Sequence, residues 1–232
     1  MSLTKEGIAY RVARDLPVGS YVNLGIGIPS MVAGFLPEDK DIFLHSENGI
    51  LGFGEVKEED KGNIDLLNAN KDYVSLRAGA SLFDHTLSFT MIRGGHLTHA
   101  IMGAIQVAAN GDLANWTLNG QQIPGVGGAM DLAFGTKNLY VAMTHVTKKG
   151  QPKIVYSCDY PLTAPQCVKR IFTDLAVIDV TEDGLLLKEV APGVTTEEVQ
   201  NQTDAPLKIY DDLQVMDIPE EWNGKRLLTR KR

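Results

Sequence analysis

The sequence predicts an α/β domain layered around a largely parallel β-sheet, on three observations. Short runs rich in branched and aromatic residues alternate with segments of helical apolar spacing. Glycines gather where one kind of segment hands over to the next. Hydrophobic residues make up 44% of the 232-residue chain, enough to bury the core of one large domain.

The elements follow in order. Over residues 4–16, Ile8, Ala9, Val12, Ala13 and Leu16 recur at helical spacing with Lys5, Arg11 and Arg14 facing outward, and Pro17 and Gly19 end the helix. YVNLGIG then reads as a strand running into a glycine turn. Pro29, which needs no N–H donor in a first helical turn, precedes the helical stretch SMVAGFL. The same rhythm of strand, glycine turn and helix is expected at IFLH before SENG, at YVSL before a helix over about residues 81–91, and at LYVAMTHV after GGAMDLAF. DLAVIDV and LLLKEV flank TEDG as a β-hairpin, and Thr195 with Glu198 forms a capping box for a short helix. Beyond Leu207 the pattern fades. Residues 1–207 are therefore read as the domain and 208–232 as a C-terminal extension to which no role is assigned.

A formal charge of -7 argues against nucleic acid and against anionic membrane as partners, because both need a basic footprint. The most apolar stretch, AIMGAIQVAA at residues 100–109, falls short of the roughly 20 residues a membrane helix needs. Cys158 and Cys167 make no disulfide framework and no basic-then-apolar leader is visible, so a reduced cytoplasmic setting is expected.

Several stretches could carry chemistry. NLGIGIPS is half a dinucleotide fingerprint, with Gly25 and Gly27 at a strand-to-helix handover but Ser30 in place of the third glycine. Such glycines allow a ligand close to backbone N–H groups, and equally serve a tight turn of positive φ. His96 and His99 in GGHLTH have a metal-like spacing, yet no third ligand is near and Gly94 and Gly95 disfavour a helix there. His45 and His85 offer no more, so no metal site is expected. No Gly-x-Ser-x-Gly elbow and no Walker-type lysine loop is present. In PGVGGAMDL, Gly127 and Gly128 lead into a helix and present unhindered N–H groups, suited to an oxyanion or to a packing turn. Finally, HSENGILGFGE sets Glu47 between a hydroxyl, an amide and a glycine, surroundings that a solvated surface acid does not need.

Together NLGIGIPS, HSENGILGFG, SFTMIRGGH, NGDLANW, PGVGGAMDL and RIFTDLAV, in order and with similar spacing over residues 5–205, resemble the family I coenzyme A transferases. More narrowly they resemble the B (β) subunit of the two-subunit 3-oxoacid and 3-oxoadipate CoA-transferases. The resemblance implies a three-layer sandwich around a mostly parallel sheet, related to the ribose-5-phosphate isomerase fold. It implies that Glu47 is a nucleophile passing through an acyl-glutamyl anhydride and a glutamyl-CoA thioester in a ping-pong exchange. Coenzyme A is then a substrate held covalently for part of each cycle, and no metal or other cofactor is needed. Glutamate is a residue type already ionised at neutral pH, so no general base has to activate it. Its weakness as a nucleophile is offset by positioning, worth on the order of 7 kcal/mol, and by oxyanion donors at about 3 kcal/mol each.

By the same resemblance Gly128, with Gly127 before it, donates to the thioester oxyanion, and Asn23, Gly25, Gly27, Asn48, Gly127 and Lys71 bind coenzyme A. Lys71 matches the lysine of a motif usually written NAGK; here Asn70 replaces the glycine and is expected to take a left-handed turn in its stead. EVKEEDKGN, after Gly54, is more charged than the proline-containing stretch common in relatives. A companion A (α) subunit is implied, in an α2β2 assembly with the active site at the A–B contact. Three other readings stand beside this one: an acetate- or butyrate-type short-chain acyl-CoA transferase, a sugar-phosphate isomerase of related fold, and a non-catalytic ligand-sensing subunit.

Overall fold

The structure is a computed structural model that describes residues 2–37, 40–118 and 125–223. Helix α1 (Lys5–Asp15) is capped by Thr4, whose hydroxyl accepts from the Gly7 N–H, and it buries Ile8, Ala9, Val12 and Ala13. Strand β1 (Tyr21–Leu24) leads into the single-turn α2 (Ile28–Met31), prolonged by a 3-10 turn over Val32–Phe35. β2 (Phe43–Ser46), β3 (Ile50–Gly54) and β4 (Ser75–Leu82) come next, then α3 (His85–Arg93), capped by the Asp84 carboxylate accepting from Leu87. β5 (His99–Met102), β6 (Gln106–Ala108), β7 (Leu113–Ala114), α4 (Ala129–Gly135), β8 (Asn138–Ala142) and β9 (Ile154–Val155) form the middle of the chain. β10 (Val168–Phe172), β11 (Ala176–Thr181), β12 (Gly184–Val190), α5 (Thr196–Asn201) and β13 (Leu207–Val215) complete it.

Ten strands form one sheet in the order β13-β12-β11-β10-β8-β5-β1-β2-β3-β4, and β7-β6-β9 form a small second sheet. The centre, from β10 to β2, is parallel throughout. Antiparallel ladders flank it on both sides. Consecutive strand residues face opposite ways. In β2, Leu44 lies in a cavity with Ala33 and Leu36 of the α2 side, whereas the next residue, His45, meets Ser88 of α3. With α1 packed on α2 and α3 on α4, the sheet lies between two helical layers, as expected.

Two readings of the pattern are corrected. SENG does not lead into a helix: β3 turns back antiparallel to β2, because the residues after the turn, ILGFG, are apolar on both faces and bury as a strand. The fading signal beyond Leu207 does not end the sheet either, since β13 pairs in parallel with β12. Its side chains are largely exposed, which explains the lack of an apolar pattern. Further on, Trp222 packs its ring 4.9 Å from Tyr10 and 5.0 Å from Phe35, and its carbonyl accepts from Thr4 N–H at 2.9 Å. A Cβ on Gly7 would lie 2.9 Å from that carbonyl, so only a glycine lets this segment close over α1. Residues 224–232 of the expected extension lie outside the described residues.

Asp15, only 11% exposed, receives Arg170 through both carboxylate oxygens and Arg11 through one, while Arg11 also engages Glu189 and Arg170 engages Asp179. Removing the shared carboxylate leaves two half-buried guanidinium groups short of a partner. Asp15→Ala is expected to lower unfolding free energy by about 3 kcal/mol, read as a drop in the urea midpoint at unchanged m-value.

Burial pushes the imidazoles of His45 and His145 down to about 4 from 6.5. Their folded values lie below the unfolded one, so their contribution is complete above about 6.5 and is lost as pH falls through about 4. Each ring is worth on the order of 3 kcal/mol over that window. His145 is held between the hydroxyls of Thr173 (2.9 Å) and Thr203 (2.8 Å). Urea titrations from pH 7 to 4 should therefore show a falling stability whose slope is shallower in His145→Gln.

Candidate active site

Asn23 and His45 are partners across the parallel β1–β2 ladder, and Glu47 stands two residues beyond, at the carboxyl ends of the strands, where open α/β sheets place ligands. The turn that carries Glu47 is tightly fixed. Gly49 N–H donates to the Ser46 carbonyl at 2.9 Å, and the Gly49 carbonyl accepts from Phe83 N–H at 3.0 Å. Gly49 has φ +120, and a Cβ there would lie 2.0 Å from the Phe83 carbonyl oxygen. Only glycine fits. Ser46 Oγ accepts from Ala69 N–H at 2.8 Å and Asn48 Nδ2 donates to the Leu67 carbonyl at 2.7 Å, which ties the turn to the segment ahead of β4.

Asn23, 1% exposed, donates through Nδ2 to Glu47 Oε2 at 3.0 Å. The carboxylate is thereby aimed into a cavity of about 530 Å³ whose lining includes Asn23, Gly25, Glu47, Asn70, Asn115, Gly127 and Gly128. Gly25 N–H donates to the Ile101 carbonyl at 2.8 Å, and a Cβ at Gly25 would crowd that oxygen at 3.2 Å. Gly128 caps α4, and a Cβ there would lie 3.0 Å from Phe89 Cζ. The N–H groups of Gly127 and Gly128 have no acceptor among the described residues, so they can donate to a ligand in the same cavity as Glu47. Chemically, this is a fixed carboxylate facing apolar walls and free amide donors.

The coenzyme A transferase family description matches residues 5–202 of this chain. The chain belongs to the coenzyme A transferase family. It is 53% identical over 206 residues to the B (β) subunit of the 3-oxoadipate CoA-transferase of Acinetobacter baylyi, covering 88% of this chain and 95% of that one. It is 43% identical over 209 residues to the B (β) subunit of the probable succinyl-CoA:3-ketoacid coenzyme A transferase of Bacillus subtilis, covering 90% and 97%. Among solved structures, the acyl-CoA transferase (YdiF) apoenzyme of Escherichia coli O157:H7 superposes with a TM-score of 0.75 at 22% identity. That match takes in 95% of this chain and 45% of the other, so this chain spans somewhat less than half of that protein, and the likeness is one of fold.

Within this transferase domain the expected site residues divide. Glu47, Asn23, Gly25, Gly127 and Gly128 meet at the cavity. Gly27, at φ +90, opens α2, is exposed and does not line the cavity. Asn48 is exposed and spends its amide on Leu67. Lys71 is exposed on a turn beside the cavity, and here the expectation for Asn70 is corrected: Lys71 itself, at φ 67, is the left-handed residue. The reason is Asn68. Its side-chain oxygen accepts from both Asn70 N–H and Asp72 N–H at 2.9 Å, and its carbonyl accepts from Lys71 N–H, so the reversal falls one residue later. Asn70 instead lines the cavity. Pro124 of PGVGGAMDL lies outside the described residues.

Two features of the site escape a reading of the sequence. Asn115 lines the wall, locked by Thr163 Oγ1 donating to its Oδ1 at 2.6 Å and by its own Nδ2 donating to the Gly103 carbonyl. Its one signal is its place in NGDLANW. His45, which the sequence offers only as a metal ligand, is buried beside Asn23. His96 is exposed and His99 is buried in β5, and among the described residues no three metal-binding side chains stand together. Cys158 and Cys167 are free, and burial pushes their thiols up to about 11 and about 12.

Proposed function

We propose that this chain is the β subunit of a transferase that moves coenzyme A between an acyl-CoA of the succinyl-CoA or acetyl-CoA type and a 3-oxo acid such as acetoacetate or 3-oxoadipate. The observation that carries it is the Asn23 to Glu47 hydrogen bond at a cavity shared with the Gly127 and Gly128 N–H groups. Glu47 attacks the thioester carbonyl of the donor, and the oxyanion that develops is met by the Gly128 N–H, with Gly127 adjacent. Collapse expels the CoA thiolate and leaves an acyl-glutamyl anhydride. The thiolate then attacks the glutamyl carbonyl and releases the donor carboxylate, giving a glutamyl-CoA thioester. The acceptor carboxylate reverses both steps, so every bond broken is matched by one formed and no redox change occurs. Coenzyme A is a substrate throughout, and a chemistry made of carboxylate, thiolate and backbone donors calls for no further cofactor.

The names of the relatives, each one of a pair of unlike subunits, support a companion α subunit, in an α2β2 complex of the cytoplasm. The test uses that complex. Reconstituted with its α subunit and given succinyl-CoA or acetoacetyl-CoA without acceptor, the chain is expected to gain the mass of one coenzyme A less water. An unmodified chain in a complex that turns over would refute the covalent reading.

A further inference from the structure

We infer that His45 is a positioning residue that fixes the amide of Asn23 and, through it, the direction of Glu47. The kinetic consequence rests on the transferase reading; the geometry stands by itself.

Asn23 Nδ2 carries hydrogens and no lone pair, and three acceptors face it: Glu47 Oε2 at 3.0 Å, the His45 carbonyl at 3.2 Å and His45 Nδ1 at 3.3 Å. Nδ1 must therefore offer a lone pair, which puts the ring proton on Nε2. That proton points at Ser88 Oγ, 3.1 Å away on α3 and fully buried. Phe83 lies nearly parallel to the imidazole, 20° between planes, and restrains its tilt. The ring is itself 1% exposed, and burial keeps it uncharged at neutral pH. A proton on Nδ1 would set donor against donor and drive the amide to rotate. A rotated amide would turn Oδ1 toward the Glu47 carboxylate, two negative oxygens in contact. The chain Ser88, His45, Asn23, Glu47 thus allows one arrangement of hydrogens, and that arrangement presents the carboxylate before any substrate arrives. His45 does not line the cavity, so it acts only through Asn23.

The experiment has two arms. In the first, the resting complex is made with 15N-labelled histidine, and its spectrum is expected to show His45 as the Nε2–H tautomer; an Nδ1–H tautomer or a rapidly exchanging ring overturns the inference. This arm needs neither turnover nor a variant. In the second, His45→Leu is expected to slow formation of the CoA adduct on the order of 10- to 100-fold. The apparent KM for acyl-CoA should change by less than about threefold. His45→Gln, which keeps an acceptor and a donor, should recover most of the loss. In an Asn23→Ala background His45→Leu should cost nothing further, because its route to Glu47 is already cut; losses that multiply would show a merely structural role and overturn the inference. A wild-type complex that is active yet forms no adduct refutes the covalent reading instead, and the tautomer arm still decides this one.

Discussion

In the assembled complex, Glu47→Gln is expected to lower turnover on the order of 10⁴-fold or more, with unchanged acyl-CoA affinity and no CoA adduct in the intact mass. The substitution is nearly isosteric, and the glutamine oxygen can still accept from Asn23 Nδ2, which sits 3.0 Å from Glu47 Oε2 in the native chain. What changes is the nucleophile. A neutral amide oxygen does not displace a thiolate, so the first covalent step is lost while the cavity, the glycine donors and the α subunit remain. Because Glu47 is partly exposed and makes one side-chain hydrogen bond, stability should move by less than about 1 kcal/mol. Steady-state rates, adduct mass and the urea midpoint measured on one preparation separate loss of chemistry from loss of structure. Normal turnover by this variant would remove Glu47 from the mechanism.

Gly49→Ala is expected to be the most damaging change outside the reacting groups. Its φ of +120 is a conformation that alanine rarely adopts, and the added methyl would start 2.0 Å from the Phe83 carbonyl oxygen. Relief requires either that the turn open, which carries Glu47 away from Asn23, or that the β4–α3 junction retreat, which disturbs the Asp84 cap. Both routes cost several kcal/mol, about 3–5 kcal/mol in unfolding free energy. Gly62→Ala is the control: it too has positive φ, +80, but nothing lies within 4 Å of its Cβ position. Its penalty should be about 1 kcal/mol, from backbone strain alone. Equal penalties at the two sites would mean that the Phe83 contact does not constrain the turn.

The sequence was most informative where local chemistry and tertiary structure agree. Thr4, Asp84 and Thr195 cap helices where they stand, and the last uses the Glu198 capping box expected from spacing. The hairpin around TEDG forms with Thr181 paired to Gly184. Glu47 and the glycine pair at 127 and 128 are marked by their neighbours and do share a cavity. What could not be read depends on contacts distant in sequence. Whether ILGFG becomes strand or helix is decided by β4, which pairs with it from Gly54–Ser75 to Ile50–Leu82, and not by its own pattern. β13 is a strand because β12 offers it a ladder, although its exposed side chains carry no alternating signal. Lys71 takes the left-handed place because Asn68 bonds past it, a preference invisible in a motif that names only the glycine. His45 is an isolated imidazole in the sequence, and only the β1–β2 register sets it against Asn23.

The clasp between Trp222 and the first helix bears on biosynthesis. A ribosome releases Tyr10, Phe35 and Thr4 near the start of translation, but the ring and carbonyl that they receive emerge only after roughly two hundred further residues. Until then the aromatic pair lies bare on the nascent polypeptide, and the outer helical layer is sealed last, after the parallel centre carrying the nucleophile has been made.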